Sequence, residues 1–188
     1  MSLLPGPFYY GKEINGMPAT KRVLQQETAG HEGKVFLGPD GIRNILPHRE
    51  PFLFIQSVAV DVKNETAYAV MDMEAISPIV AGHFPGRPIV PGVIVLESVA
   101  QTAAVLGLIL KDLNDESSET AQILFSDAEV KWKKPIAYDP DRQVQLQAKF
   151  VRKKSAFWFF TGQATVNNEV ACEVEKLVGK EGSGTLTK

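Results

Sequence analysis

Apolar and polar residues alternate through two stretches of the chain, with the period of a strand whose one face lies on a core. Phe52–Val62 and Glu65–Glu74 carry this alternation on either side of Lys63-Asn64, which predicts a hairpin. Ala121–Trp132, Gln143–Lys153 and Phe157–Val166 repeat it, and Asn167-Asn168 then predicts a tight turn into a last strand over Glu169–Val178. Consecutive strands joined by short turns imply an antiparallel sheet. Regular structure is expected from about Gly38, where Asp40 can cap a short helix over 41–46 that Pro47 closes.

One segment has neither alternation nor helical amphipathicity. From Val93 to Leu110 the chain is apolar except for Glu97, Ser98, Gln101, Thr102 and the small Gly107. Eighteen helical residues would run about 27 Å, close to the apolar thickness of a bilayer. Glu97 and Gln101 would then sit deep in lipid, which is unfavourable, and the flanking segments read as a water-soluble sheet. The pattern therefore predicts a helix covered by protein on nearly all sides. A single helix of that kind needs a large sheet around it. The resulting expectation is an α+β domain over 35–180, in which the sheet wraps a long buried central helix. Residues 1–34 are rich in Gly and Pro and weakly periodic, so they are expected to form an N-terminal extension, with a short helix around Ala19–Thr28. Gly-Ser-Gly at 182–184 is expected to open a flexible tail, 181–188.

Composition narrows the function more than the fold. At 188 residues the chain suits one domain, and 44% apolar with 22% charged residues is ordinary for a globular protein. A formal net charge of −2 gives no basic field for nucleic acid. Lys131, Lys133 and Lys134, and again Arg152, Lys153 and Lys154, are local basic runs of the kind usual on solvated strand faces; the other reading is a landing site for an acidic partner. Cys172 is the only cysteine, so no intrachain disulfide can form, and its alternating context suits a small buried hydrophobe. No basic stretch followed by an apolar run opens the chain, so the expectation is a cytoplasmic protein that does not enter a membrane.

The candidate chemistry sits around the apolar helix. A carboxylate at Glu97 must find a partner, take up a proton or face a cavity. Gln101, four residues on, shares its helix face and can hydrogen-bond it. Just upstream, Gly82-His83-Phe84-Pro85-Gly86-Arg87-Pro88-Ile89-Val90-Pro91-Gly92 sets prolines at a spacing of three beside permissive glycines. A stiff loop that carries a histidine up to a buried carboxyl suits acid–base chemistry. Gly92 and Val93 fall at the helix start, where free N–H groups favour a developing oxyanion. His48 is expected to be a structural hydrogen-bonder, and His31 belongs to the extension. No His-Glu-x-x-His, cysteine pair or phosphate loop occurs, which points away from a metal site and from nucleotide hydrolysis.

Taken together, Leu46-Pro47-His48-Arg49-x-Pro51-Phe52-Leu53, Gly82-His83-Phe84-Pro85-Gly86-x-Pro88-x-x-Pro91-Gly92-Val93 and Leu96-Glu97-x-x-Ala100-Gln101 resemble the (3R)-hydroxyacyl-[acyl carrier protein] dehydratases of bacterial fatty acid synthesis. The similarity extends from about Leu37 to Val178. It implies a hotdog fold assembled as a homodimer; whether dimers assemble further, as a trimer of dimers, is left open. It also implies acyl carrier protein as partner, a substrate carried on its phosphopantetheine, and no metal or organic cofactor. The family's catalytic histidine and glutamate fall on His83 and Glu97, with each site pairing the two across subunits. Glu97, where an isomerising relative carries Asp, favours plain dehydration. Phe84, Gly92, Val93 and Gln101 are the candidate substrate-binding residues. The chain departs from the family pattern at Glu50, over 77–81 and in the longer turn 137–142, positions that bear on tunnel gating, chain length and carrier docking.

The expected reaction dehydrates (3R)-3-hydroxyacyl thioesters to trans-2-enoyl thioesters, with His83 as base and Glu97 as acid. The rival readings are a hotdog acyl-thioesterase, which would need an activated water instead of a C2 base, and a non-catalytic acyl-binding subunit.

Overall fold

A computed structural model describes residues 33–114 and 121–183; the expected helix at 19–28, most of the extension and the last residues of the tail lie outside this range. Seven strands form one antiparallel sheet in the order β1-β2-β3-β5-β6-β7-β4. They are β1 (Lys34–Leu37), β2 (Ile55–Asp61), β3 (Thr66–Met71), β4 (Ala121–Trp132), β5 (Val144–Lys154), β6 (Phe157–Val166) and β7 (Glu169–Ser183). Three helices accompany them: α1 (Pro39–Ile45), α2 (Ser77–Ala81) and the long α3 (Gly92–Asn114). The sheet wraps α3, and the chain has the hotdog fold.

The core explains the unpatterned apolar run. Every residue of α3 from Ser98 to Lys111 is buried, so no polar face was needed. The helix is long and apolar enough to span a bilayer, yet 83% of its most apolar window is buried inside the protein. Helix and sheet approach closely at Gly162 of β6. A Cβ there would lie 2.6 Å from Val99 of α3 and 2.7 Å from the carbonyl oxygen of Gln147 on the neighbouring strand. Only a residue without a side chain fits between them.

Both expected hairpins are present. Asn167 and Asn168 have φ of 51° and 64°, the left-handed pair a type I′ turn requires, and they pass β6 directly into β7.

Other boundaries differ from the sequence reading. β1 precedes the expected start at Gly38; its four residues alternate exposed and buried, too few to register as a period. The N-cap of α1 is Gly38, with no side-chain cap, and Asp40 lies in the first turn, 3.2 Å from Arg43. β7 continues five residues past Val178, because Ala121–Phe125 of β4 pair with Gly179–Ser183. Gly179, Lys180 and Gly182 break the alternation there, but the backbone ladder carries the strand on. α2, only five residues long, was not anticipated at all.

Candidate active site

The His83 loop is tied down by backbone pairing at both ends. His83 N–H donates to Val80 O at 2.9 Å, at the close of α2. Further on, Val90 N–H donates to Ile136 O at 2.8 Å and Tyr138 N–H to Pro88 O at 3.0 Å, so the loop adds a short bridge beside the segment after β4. Within this frame His83 Nδ1 lies 2.8 Å from Ile89 O. A carbonyl oxygen can only accept, so Nδ1 carries a proton, and in the neutral ring the lone pair is then on Nε2. The ring is thereby held as the tautomer that can take up a proton at Nε2.

Pro91 O accepts from Ile94 N–H at 3.0 Å and from Val95 N–H at 3.2 Å, which leaves the Gly92 and Val93 amides at the open start of α3. His83, Gly92 and Val93 line one cavity of about 450 Å³, together with Val90, Trp132, Lys133, Ile136 and Cys172. The His83 imidazole and two helix-start amides thus share a largely apolar recess. Cys172 is 1% exposed, and burial pushes its thiol up to about 11, so it remains a thiol at neutral pH.

Glu97 faces a different set of neighbours. Its Oε1 accepts from Gln101 Nε2 at 3.0 Å and lies 3.5 Å from His48 Nε2. Burial holds the carboxyl above the usual carboxylate range, with the Gln101 hydrogen bond pulling the other way. Burial, helped by the charge of Arg49, pushes the His48 imidazole below its ordinary value. Both shifts disfavour charge, so burial works against an ion pair at this close approach of His48 and Glu97.

Gln101, 1% exposed, makes three hydrogen bonds: to Glu97, to Phe52 O at 3.0 Å, and from Phe54 N–H at 2.9 Å. All are to protein groups, so it fixes Glu97 and the strand entry. Phe84 has φ of 62° and is 59% exposed, its ring 4.3 Å from that of His83 and outside the cavity lining. The structure thus gathers His83, Gly92 and Val93, and groups Glu97 with Gln101 apart from them. His48 is the neighbour of Glu97 that sequence reasoning did not foresee; among the described residues its buried Nδ1 has no hydrogen-bond partner. Its place in Leu46-Pro47-His48-Arg49, beside the strand that Gln101 holds, was the available signal. No group of three or more His, Cys, Asp or Glu is placed to hold a metal ion among the described residues.

The family model of the FabA-like domain matches residues 46–175. The 3-hydroxyacyl-[acyl-carrier-protein] dehydratase FabZ of Haemophilus influenzae is 34% identical over 139 residues, 74% of this chain and 90% of that protein. The protein of the same name from Coxiella burnetii is 34% identical over 140 residues, 74% of this chain and 96% of its own length. Among solved structures, the dehydratase heterocomplex ApeI:P from Xenorhabdus doucetiae shares the fold, with a TM-score of 0.62 over 76% of this chain and 91% of that one at 16% identity. The matched span takes in the His83 loop, the whole of α3 and most of the last hairpin, and the chain belongs to the FabA-like family of 3-hydroxyacyl-[acyl-carrier-protein] dehydratases.

Proposed function

We propose that the protein removes water from (3R)-3-hydroxyacyl thioesters carried on acyl carrier protein, in cytoplasmic fatty acid or related acyl-chain synthesis. His83 Nε2 takes the C2 proton, which the thioester carbonyl acidifies. The electron pair forms the C2–C3 double bond as the C3–O bond breaks. Glu97 delivers its proton to the departing hydroxyl, which leaves as water. The Gly92 and Val93 amides hold the thioester oxygen while enolate character grows. The proton on His83 then returns through solvent to the Glu97 carboxylate, and no metal or organic cofactor enters the balance.

The observation that carries this reading is the His83–Ile89 hydrogen bond, which puts the lone pair of the neutral ring on Nε2, in the same recess as the α3 amides. Glu97 does not line that recess in its own chain. We therefore assign the acid in each site to Glu97 of the partner subunit, in a homodimer. Lys133 and Lys134 stand at the rim, where they pair with Glu173 and Glu169 at 2.6 Å each. That pairing argues against a strongly positive landing patch there.

The test is hydration of a crotonyl thioester, followed by loss of enoyl absorbance and by chiral analysis of the product. A (3R)-3-hydroxybutyryl thioester is expected. Release of free thiol without hydration would replace dehydratase by thioesterase, and binding without turnover would make the chain an acyl-binding subunit.

A further inference from the structure

β4 ends at Trp132, opposite Cys172 of β7, and the next two residues, Lys133 and Lys134, both donate their N–H to Ala171 O, at 2.8 and 3.1 Å. This anchored strand end lays the Trp132 indole over the first residue of α3. A Cβ on Gly92 would lie 2.4 Å from Trp132 Nε1 and 2.8 Å from its Cδ1. Gly92, having no side chain, thus seats the indole against the start of α3.

The two tryptophans differ sharply in their surroundings. Trp158 is 4% exposed and donates its Nε1–H to Glu181 at 3.0 Å. Trp132 is 57% exposed, lines the His83 cavity, and finds no acceptor for its N–H among the described residues. Its neighbours at the rim, Lys133 and Lys134, already have carboxylate partners. An indole offers one donor and no acceptor on an apolar plate. Such a group suits a flexible chain that carries amide carbonyls between methylenes.

We propose that Trp132 is a substrate-positioning residue, whose indole N–H binds the amide carbonyl nearest the sulfur in the pantetheine arm while its ring packs on the adjoining methylenes. The proposal rests on the dehydratase reading above. With the thioester oxygen at the Gly92 and Val93 amides, the sulfur side of the substrate leaves past the indole on its way to the rim.

The experiment compares wild type with Trp132→Phe, which keeps a ring and removes the donor, on two crotonyl thioesters. One is built on N-acetylcysteamine, which has the amide; the other is S-butyl, which lacks it. The quantity read is the preference for the first in kcat/KM. Trp132→Phe should shrink that preference roughly three- to tenfold, mostly through KM, as expected for a neutral hydrogen bond. A preference within twofold of wild type would overturn the proposal. If wild type turned over neither thioester, the dehydratase reading would fail. Calorimetric binding of the matching unreactive butyryl thioesters would then decide on Trp132: loss of the amide preference in the variant supports the anchor, and its persistence overturns it.

Discussion

His48 Nε2 and Glu97 Oε1 face each other across 3.5 Å, although 49 residues separate them in sequence. The loop carrying His48 is brought there by Gln101, which ties both Phe52 O and Phe54 N–H to the middle of α3. Glu97 is therefore held from two sides, by an amide donor and by an imidazole that burial keeps neutral. A carboxyl in such surroundings retains its proton to higher pH than a free one, as a general acid must.

Substitution of either member of the proposed pair should remove turnover and leave the fold intact. His83→Ala and Glu97→Gln are each expected to lower kcat by about a hundredfold or more, from typical acid–base contributions. Steady-state rates on a crotonyl thioester, with circular dichroism as the folding control, provide the check. Activity near wild type in either folded variant would end the assignment.

Glu97→Gln should also alter stability in a pH-dependent way. Burial raises the carboxyl above its ordinary value of 4.5, so the folded state holds the proton more tightly than the unfolded chain. Stability from this group is full below pH 4.5 and is lost as pH rises through the raised value. The variant, which cannot ionise, should match or exceed wild type in denaturant midpoint at pH 7, and its advantage should fade toward pH 4.5. A large drop at neutral pH would mark Glu97 as a structural hub instead.

His48 acts with the opposite sign. Its folded value lies below the ordinary 6.5, so the unfolded chain binds the proton first as pH falls. Stability from this group is full above pH 6.5 and declines as pH drops toward the depressed folded value. Unfolding midpoints at pH 7.5 and 5.5 should show a smaller acid loss in His48→Gln than in wild type. Identical losses would place the imidazole in a more solvated setting than the structure gives it.

Gly162→Ala tests how tightly α3 sits in the sheet. Its Cβ would meet Val99 and a backbone oxygen that cannot rotate away. Overpacking of this kind costs about 1–3 kcal/mol, and each kcal/mol lowers Tm by about 2–4 °C in a protein of this size. A melt unchanged from wild type would show that helix and sheet can separate locally at no cost.

Mixing experiments distinguish shared from intrachain sites. In heterodimers of His83→Ala with Glu97→Gln, a shared arrangement puts both lesions in one site and none in the other. Random exchange makes about half the dimers mixed, so roughly a quarter of wild-type activity should return. Verified heterodimers that stay inactive would place both groups of each site in one chain.

Much of this architecture is legible in the residues. The α3 run, the strand pairs and the Asn167-Asn168 turn each follow from a local rule, and the structure bears them out. The proline-spaced loop singled out His83 and Gly92, which do share a cavity. What escaped was set by distant partners. β1 exists because β2 offers an edge, and β7 outruns its own alternation because β4 pairs with it to the end. The His48–Glu97 contact and the seat of Trp132 on Gly92 depend on tertiary packing across 49 and 40 positions, which no periodicity encodes.

The hydrogen bond from His83 Nδ1 to Ile89 O has a consequence for mutational robustness. In a serine-protease triad the histidine is oriented by an aspartate side chain, and a single substitution there removes the support. Here the orienting group is a main-chain carbonyl six residues away, which every amino acid supplies. The side chain at position 89, which lines the cavity, can change without touching the tautomer of His83. The vulnerability moves to the path of the backbone, to Pro85, Pro88 and Pro91 and to the pairing of Val90 with Ile136. Selection on His83 should therefore be read in the residues that shape this loop; because the Ile89 side chain lines the cavity, a library of apolar residues at position 89 should keep far more active members than the same library at Pro88.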